Sequence, residues 1–376
     1  MHNEDRDLID YLAAWGWSED WARAYEAEDQ DPRLNCPGRI LSQRENTFTV
    51  ATAEGLVWAH PAGILFHRHT TRERPGVGDW VVLESFDCPV TDEEFSVTVT
   101  HSVVSVLPRR SCFLREAPGG RGDAQVVATN VDKVFVVNPA DDVNLNRIER
   151  FIVAIASGGA EPAVILSKGD LANDAEVEER RLEVERLKEG LEVLACSHAT
   201  CQTEAIRETL SAALKRGETY ALVGASGVGK STLVNALLDE QVQETKDVRS
   251  GDHKGRHVTT FRELFALPNG ALIMDTPGVR EFAMWSQGDG IAEVFADIER
   301  LQERCRFADC SHQSEPGCAV AEAIDGGELS LRRLENWRGL TEEMAGNEER
   351  RERRQARRER SDFRRKVKRD KRFSKR

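Results

Sequence analysis

The chain has 376 residues, of which 40% are hydrophobic, so it has room for two or three globular domains and is not a disordered segment. It contains no apolar run of about 18 residues or more, which excludes a membrane-spanning helix. Its first residues are acidic and lack a basic region followed by an apolar stretch, so we expect no secretory signal and a cytoplasmic location.

Charge is unevenly distributed within the net value of −13. Residues 348–376 hold 16 basic and 6 acidic side chains, a net charge of +10, whereas the rest of the chain holds 36 and 59, a net charge of −23. A basic tail on an acidic body predicts that the tail contacts a polyanion, although a solvated helix without a partner would have the same composition.

The first third of the chain predicts a helix and then a barrel. Trp17, Trp21 and Tyr25 recur every four residues, which predicts one face of a helix that packs on the body. Residues 36–107 contain short β-rich runs separated by turns, which predict a small β-barrel of either the OB or the SH3-like kind. These runs are residues 47–50, 56–58, 80–83 and 96–99.

From residue 131 onwards, apolar strand patterns alternate with helical ones. This alternation predicts a mostly parallel sheet with helices on both faces. The predicted strands are residues 131–137, 162–166, 191–196 and 219–223. The predicted helices are residues 145–156, with Asn144 as N-cap, and residues 174–189 and 203–216.

A phosphate-binding loop directly follows the strand at 219–223. The segment fits G-x-x-x-x-G-K-[ST] at every position, and it consists of Gly224, Ala225, Ser226, Gly227, Val228, Gly229, Lys230 and Ser231. Its backbone N–H groups and the start of the next helix can hold phosphate oxygens. Lys230 is predicted to reach the β- and γ-phosphates and Ser231 to ligate Mg²⁺. The loop alone does not distinguish GTP from ATP.

Metal and γ-phosphate sensing are predicted downstream of this loop. A strand ends in D-x-x-G, where Asp275 can hold Mg²⁺ and the Gly278 amide can face the γ-phosphate. Thr259 is predicted to close a switch loop over the Mg²⁺, although it and Thr260 could be two threonines on a strand edge. Val279 stands where many GTPases carry a water-positioning glutamine, so hydrolysis is either slow or helped by another group. His257 is the candidate for that group, and the alternative is that it is a solvated loop histidine with no catalytic role.

Base selection is predicted upstream of the phosphate loop. The strand at 162–166 is followed by Ser167, Lys168, Gly169 and Asp170, close to the guanine-selecting [NT]-K-x-D pattern. The Asp170 carboxylate would accept two hydrogen bonds that adenine cannot donate. Ser197, after the next strand, would present a backbone amide to the base. Serine at 167 lacks the reach of the usual amide toward the base and the P-loop, so we expect weaker nucleotide binding with guanine selection kept.

Cysteines 305, 310 and 318 lie in one short segment with a histidine, unlike the other five cysteines. The set Cys305, Cys310, His312 and Cys318 is typical of a closed, structural zinc site, and four unliganded residues are the alternative. Glu315, Pro316 and Gly317 lie within it.

The base-selecting residues precede the phosphate loop, whereas a Ras-like GTPase has the opposite order. With Val77–Val81 (VGDWV), Asn144–Arg150 (NLNRIER), Asp275–Phe282 (DTPGVREF) and the Cys/His set, the chain resembles the RsgA-type circularly permuted GTPases over about residues 36–340. It departs from that family at Ser167 and at Val258.

The resemblance implies a multidomain protein: an N-terminal OB-like β-barrel, a circularly permuted α/β P-loop GTPase and a mainly helical C-terminal zinc domain. With the extension and the tail that composition and aromatic spacing predict, the parts would be a helical extension (1–35), barrel (36–107), GTPase (108–286), zinc domain (287–345) and basic tail (346–376). It implies a monomer that binds GTP or GDP, the 30S ribosomal subunit and 16S rRNA. The subunit would stimulate hydrolysis late in its own maturation. An RNA-binding module with a static nucleotide is the alternative.

Overall fold

The computed structural model describes residues 11–28, 30–31, 33–63, 65, 73–92, 97–116, 124–195, 210–238, 262–275, 290–313 and 315–373. A barrel, an α/β sheet and a helical region follow one another along these residues. None of the helices in these ranges is long and apolar enough to cross a membrane.

The barrel is a closed ring of strands. Strand β1 pairs with β2 and β4, β2 with β3, and β4 with β5, all antiparallel, and a parallel pairing of β3 with β5 closes the ring. This five-stranded closure confirms the prediction of an OB-like barrel. The strands are β1 Asn35–Arg44, β2 Thr47–Thr52, β3 Gly55–Pro61, β4 Trp80–Asp92 and β5 Val97–Val106.

Helix α1 (Glu19–Glu26) packs on the outside of this barrel, as predicted, but it begins after Trp17, so only Trp21 and Tyr25 of the three predicted aromatic residues lie on the helix. Trp21 is 5% exposed and Trp80, on β4, is 1% exposed. The Trp17 ring meets the Trp80 ring edge-on, with 4.8 Å between their centroids. These aromatic contacts bury the helix face that the sequence marked as apolar.

A mixed sheet with helices on both faces forms the centre of the molecule, as predicted. Its strand order is β10-β9-β8-β11-β13-β12, parallel except for β12. The strands are β8 Lys133–Pro139, β9 Glu161–Ser167, β10 Glu192–Ala195, β11 Thr219–Val223, β12 Arg262–Ala266 and β13 Leu272–Asp275. The helices between them are α2 Leu145–Ser157, α3 Asp174–Glu185 and α4 Lys230–Leu237, and the Asn144 side chain caps α2 as predicted.

Alternate residues of the central strand β8 enter two separate cores. Val134 and Val136 belong to the core that contains helix α2, whereas Phe135 and Val137 belong to the core that contains α4. Because successive side chains of a strand point to opposite faces, a strand covered on both faces is apolar throughout.

The barrel and the sheet are joined by strand pairing and by a buried arginine. Strand β1 pairs with β12 through Ser42 opposite Glu263 and Gln43 opposite Arg262, which makes the two sheets continuous. A hairpin of β6 (Cys112–Glu116) and β7 (Ala124–Thr129) lies between them in sequence. Below the joint, buried Arg39 donates to the hydroxyl of Thr219, at 2.8 Å, where β11 begins.

An ion pair holds the turn that precedes β4. The guanidinium of Arg109 makes two hydrogen bonds to Asp79, at 2.7 and 2.6 Å, and the Asp79 side chain is fully buried. Asp79 also accepts from the backbone N–H of Gly76, at 2.8 Å. Arg109 therefore holds the barrel turn, and the carboxylate raises its already high pKa although burial opposes this.

Short helices and one long helix form the C-terminal region. Helix α5 packs on α2 at Gly290, where a Cβ atom would lie 2.6 Å from the carbonyl oxygen of Val153, so glycine allows this close approach. The helices are α5 Gly290–Val294, α6 Ala296–Gln302, α7 Ala319–Asp325 and α8 Leu331–Phe373. The continuous helix α8 runs through the predicted boundary at 345 and 346.

A buried ion-pair network joins α8 to the central sheet region. Glu149 on α2 is 0% exposed and accepts two hydrogen bonds from Arg332, at 2.8 and 2.9 Å, and one from Arg333, at 2.8 Å. Arg333 also pairs with Asp297, at 2.7 and 2.8 Å, and donates to the carbonyl oxygen of Leu187, at 3.0 Å. Every charge in this network has an opposite partner, which a buried charge requires.

Candidate nucleotide and metal sites

The predicted nucleotide residues come together at one edge of the sheet. Strands β8, β9, β11 and β13 are parallel, so their carboxyl ends share that edge. The phosphate loop follows β11 and the base-selecting residues follow β9, with β8 between the two strands. Open α/β sheets bind ligands at this edge.

The phosphate loop has the backbone geometry that its glycines predicted. Gly224 has φ +144°, and a Cβ atom there would lie 2.3 Å from the carbonyl oxygen of Val137, so other residues are excluded. Gly229 has φ +100° and immediately precedes helix α4. The ammonium of Lys230 donates to the carbonyl oxygens of Gly224, at 2.8 Å, and Ala225, at 2.6 Å. The lysine side chain thus folds back onto the first two residues of its own loop.

Ser167 connects the base-selecting loop to the phosphate loop. Its hydroxyl is buried and donates to the carbonyl oxygen of Val228, at 2.7 Å. The expectation that serine loses the reach to the P-loop is therefore wrong, because the close packing of the two loops brings a short side chain within hydrogen-bond distance. Lys168 follows with φ +57°, and Asp170 lies in a short 3₁₀ turn, Gly169–Leu171.

Residues predicted to hold Mg²⁺ are partly described. Ser231 is exposed in the first turn of α4, and Asp275 is the last residue of β13, which is parallel to β11. Both positions lie at the carboxyl edge. His257, Thr259, Gly278 and Ser197 lie outside the described residues, so the structure does not place them.

The four predicted metal ligands form one compact cluster. The ligand atoms of Cys305, Cys310, His312 and Cys318 all lie within 4.8 Å of one another. His312 Nδ1 is 3.6 Å from the Cys305 sulfur and 3.5 Å from the Cys318 sulfur, and the two sulfurs are 4.0 Å apart. This set can hold one metal ion with four protein ligands.

Two residues of the cluster have shifted pKa values. Desolvation first, and then neighbouring thiols, raises the pKa of Cys310 to about 11, so a metal ion that binds this sulfur would displace its proton. Burial, and then the Arg338 guanidinium, lowers the pKa of His312, which favours the neutral imidazole that metals bind.

Residues outside the ligand set hold the metal loop in shape. Glu315 accepts from the backbone N–H groups of Ser311, at 2.9 Å, and Gln313, at 3.0 Å. Arg338, on α8, donates to the carbonyl oxygens of Ser311 and His312, both at 2.9 Å. The sequence marked Glu315 by its position between ligands, but nothing in it indicated Arg338, which lies on a different helix.

Comparisons with known proteins agree with the nucleotide site. The family model described as RsgA GTPase matches residues 106–285. The chain is 39% identical to the small ribosomal subunit biogenesis GTPase RsgA of Methanosarcina acetivorans over 331 residues, which are 88% of this chain and 84% of that protein.

Two solved structures are also similar. The crystal structure of YjeQ from Thermotoga maritima has a TM-score of 0.57 and 25% identity, covering 83% of this chain and 99% of that chain. The structure of YloQ, a circularly permuted GTPase, has a TM-score of 0.56 and 22% identity, covering 83% and 96%. The base-selecting strand precedes the P-loop strand, and the Methanosarcina acetivorans relative is 39% identical over 88% of this chain. The chain therefore belongs to the RsgA family of circularly permuted GTPases.

Proposed function

We propose that the chain is a Mg²⁺-dependent GTP hydrolase that acts late in maturation of the 30S ribosomal subunit. It would bind 16S rRNA and leave when the subunit stimulates hydrolysis. The observation that carries the nucleotide assignment is the hydrogen bond from Ser167 to the Val228 carbonyl, which joins a guanine-selecting loop to a phosphate loop. The ribosomal context is supported by the name of the Methanosarcina acetivorans relative.

Phosphate binding would begin with an exchange of partners at Lys230. Its ammonium now donates to two loop carbonyls, and phosphate oxygens of GTP or GDP would replace these neutral acceptors with negatively charged ones. The Ser231 hydroxyl and the Asp275 carboxylate would hold Mg²⁺, with Thr259 as a third contributor. When bound, Mg²⁺ would neutralise charge that develops on the transferred phosphoryl group.

The hydrolytic step would require a positioned water. The Gly278 amide would face the γ-phosphate, and the valine at 279 offers no group that could orient the nucleophile. His257 is the residue of this chain that we propose for that role. Binding of the subunit would then align the attacking water with the γ-phosphate, which the free protein does poorly.

Asp170 would select guanine. Its carboxylate would accept hydrogen bonds from the guanine N1–H and the 2-amino group, with Lys168 and Gly169 completing the loop and the Ser197 amide facing the O6 atom. An Asp170→Asn variant should lose GTP affinity and gain affinity for xanthosine triphosphate, because the amide can donate where xanthine accepts. Titration of both nucleotides measures this exchange, and unchanged GTP binding contradicts the assignment.

Zinc is the metal that we propose for the Cys₃His cluster. For tetrahedral Zn²⁺ with the usual bond lengths, sulfurs would be ~3.8 Å apart and sulfur and nitrogen ~3.6 Å apart. The observed separations are 4.0 Å between two sulfurs and 3.5 to 3.6 Å between sulfur and nitrogen. Four protein ligands leave no open position, so this zinc would be structural.

The proposed organisation follows the predicted ranges: extension (1–35), barrel (36–107), GTPase (108–286), zinc domain (287–345) and basic tail (346–376). The tail would bind RNA phosphates without reading sequence, while the barrel and zinc domain would recognise folded rRNA. We also propose a cytoplasmic monomer.

Phosphate release measured with and without 30S subunits tests the proposal. We expect slow release alone and at least about tenfold faster release with subunits, because positioning the nucleophile is worth this much or more. Lys230→Ala provides the inactive control. No release in either condition would favour the alternative, an RNA-binding module with nucleotide as a static ligand.

A further inference from the structure

An exposed aromatic ring lies in the metal loop, where no predicted role uses it. Phe307 is 41% exposed, and it is the one exposed phenylalanine among those whose side chains the structure describes. A single exposed apolar side chain is common on protein surfaces, so what marks this ring is its place between two metal ligands and beneath an arginine.

Backbone hydrogen bonds hold the loop on both sides of the ring. Phe307 lies between the ligands Cys305 and Cys310, with two residues separating it from Cys310. Its carbonyl oxygen accepts from the backbone N–H of Cys310, at 3.3 Å, and the N–H of Arg306 donates to the carbonyl oxygen of Gly317, at 3.0 Å. A metal ion at the cluster would also restrain the backbone that carries the ring.

Arginines beside the ring favour a nucleic acid over an apolar protein surface. The Arg306 guanidinium lies over the ring, 5.5 Å from its centroid, and the neighbouring Arg304 is exposed. With Glu303, Asp309 and Glu315, however, residues 303–318 carry a net charge of −1. Long-range attraction for a polyanion would come from the basic residues 348–376, and the ring would add a short-range contact.

We propose that Phe307 is a stacking platform for an unpaired RNA base, with Arg306 placed to meet the adjoining phosphate. Single-stranded RNA exposes base faces that stack on aromatic side chains, whereas a duplex hides them. This inference deepens the proposed rRNA binding and rests on it. It names the residue that would distinguish single-stranded from duplex RNA.

The test compares full-length, zinc-loaded variants in their affinity for a labelled single-stranded RNA of mixed sequence and for an RNA duplex. Phe307→Ala and Phe307→Leu should weaken single-strand binding about tenfold, the usual value of one stacked base, and Phe307→Trp should retain it. Duplex binding should stay within about twofold of wild type, because phosphate contacts do not involve the ring.

Leu182→Ala is the matched control, since Leu182 is also 41% exposed but lies on α3 of the GTPase region. Metal content and GTP binding of each variant establish that the fold is kept. Full affinity in Phe307→Leu, or equal losses on both RNAs, would overturn the inference while leaving the proposed function standing. If the wild-type protein binds neither RNA nor 30S subunits, the proposed rRNA binding fails as well.

Discussion

The nucleotide site and the metal site are assembled in opposite ways. The metal ligands lie between residues 305 and 318, and their own side chains make the site. The nucleotide site joins Ser167 to Val228, 61 residues apart, across an intervening strand, and its phosphate loop is suited to bind through backbone N–H groups. A site made by local side chains should therefore depend on its ion for folding, whereas a site held by a sheet should tolerate substitution without unfolding.

The largest effect should follow loss of a metal ligand. Cys310→Ser should abolish metal binding and unfold the loop that contains Phe307, because metal binding to such sites contributes about 10 kcal/mol to folding. Metal analysis and hydrogen exchange of residues 296–325 measure this. Exchange of residues 219–237 should be unchanged, and retained metal or full protection of the loop would show that the two regions do not differ in this way.

The next largest effect should follow disruption of the buried ion pairs that join α8 to α2. Glu149→Gln removes the charge that faces Arg332 and Arg333, and breaking a buried ion pair costs about 3–5 kcal/mol. The local opening free energy of residues 331–345, from hydrogen exchange, should fall by that amount. Glu343→Gln is the control, since its partner Arg150 is 43% exposed and such pairs contribute below about 1 kcal/mol. Equal effects would contradict the buried network.

Lys230→Ala should affect ligand binding and leave stability nearly unchanged. Loss of the bonds to phosphate should weaken GTP binding about 100-fold, which corresponds to about 3 kcal/mol. Calorimetric titration measures the affinity, and urea unfolding without nucleotide should differ little from wild type. Lys215→Ala is the control, because Lys215 is 73% exposed and precedes β11, whereas the phosphate loop follows the other end of that strand. A large loss of stability would show that the sheet does not hold the site alone.

The smallest effect should come from Ser167→Ala. It removes one hydrogen bond between the loops, so GTP binding should weaken about fivefold, near 1 kcal/mol. The ratio of affinities for GTP and ATP should stay constant, since Asp170 is untouched. Ser42→Ala removes a comparable hydroxyl bond in the barrel and should not change nucleotide affinity. A changed base preference would place Ser167 in contact with the base.

Sequence reasoning identified most elements of the central sheet because their apolar patterns are strong. Strand β11 has the predicted bounds Thr219–Val223. Sequence reasoning missed β1 and β12. In β1, Pro37 and Gly38 interrupt the alternation of apolar and polar residues, and β12 begins with charged residues. Both strands are defined by their partners: β1 pairs with β2, β4 and β12, which no local pattern can indicate.

The sequence by itself determined the chemistry of both sites, because glycines, a lysine and closely spaced cysteines carry their function in local order. It also determined the permuted order of the motifs. Only the tertiary structure decided that the hydroxyl of Ser167 reaches the phosphate loop, that Arg109 pairs with buried Asp79, and that Glu149 binds Arg333. These contacts join residues distant in sequence, and their distances depend on how strands and helices pack.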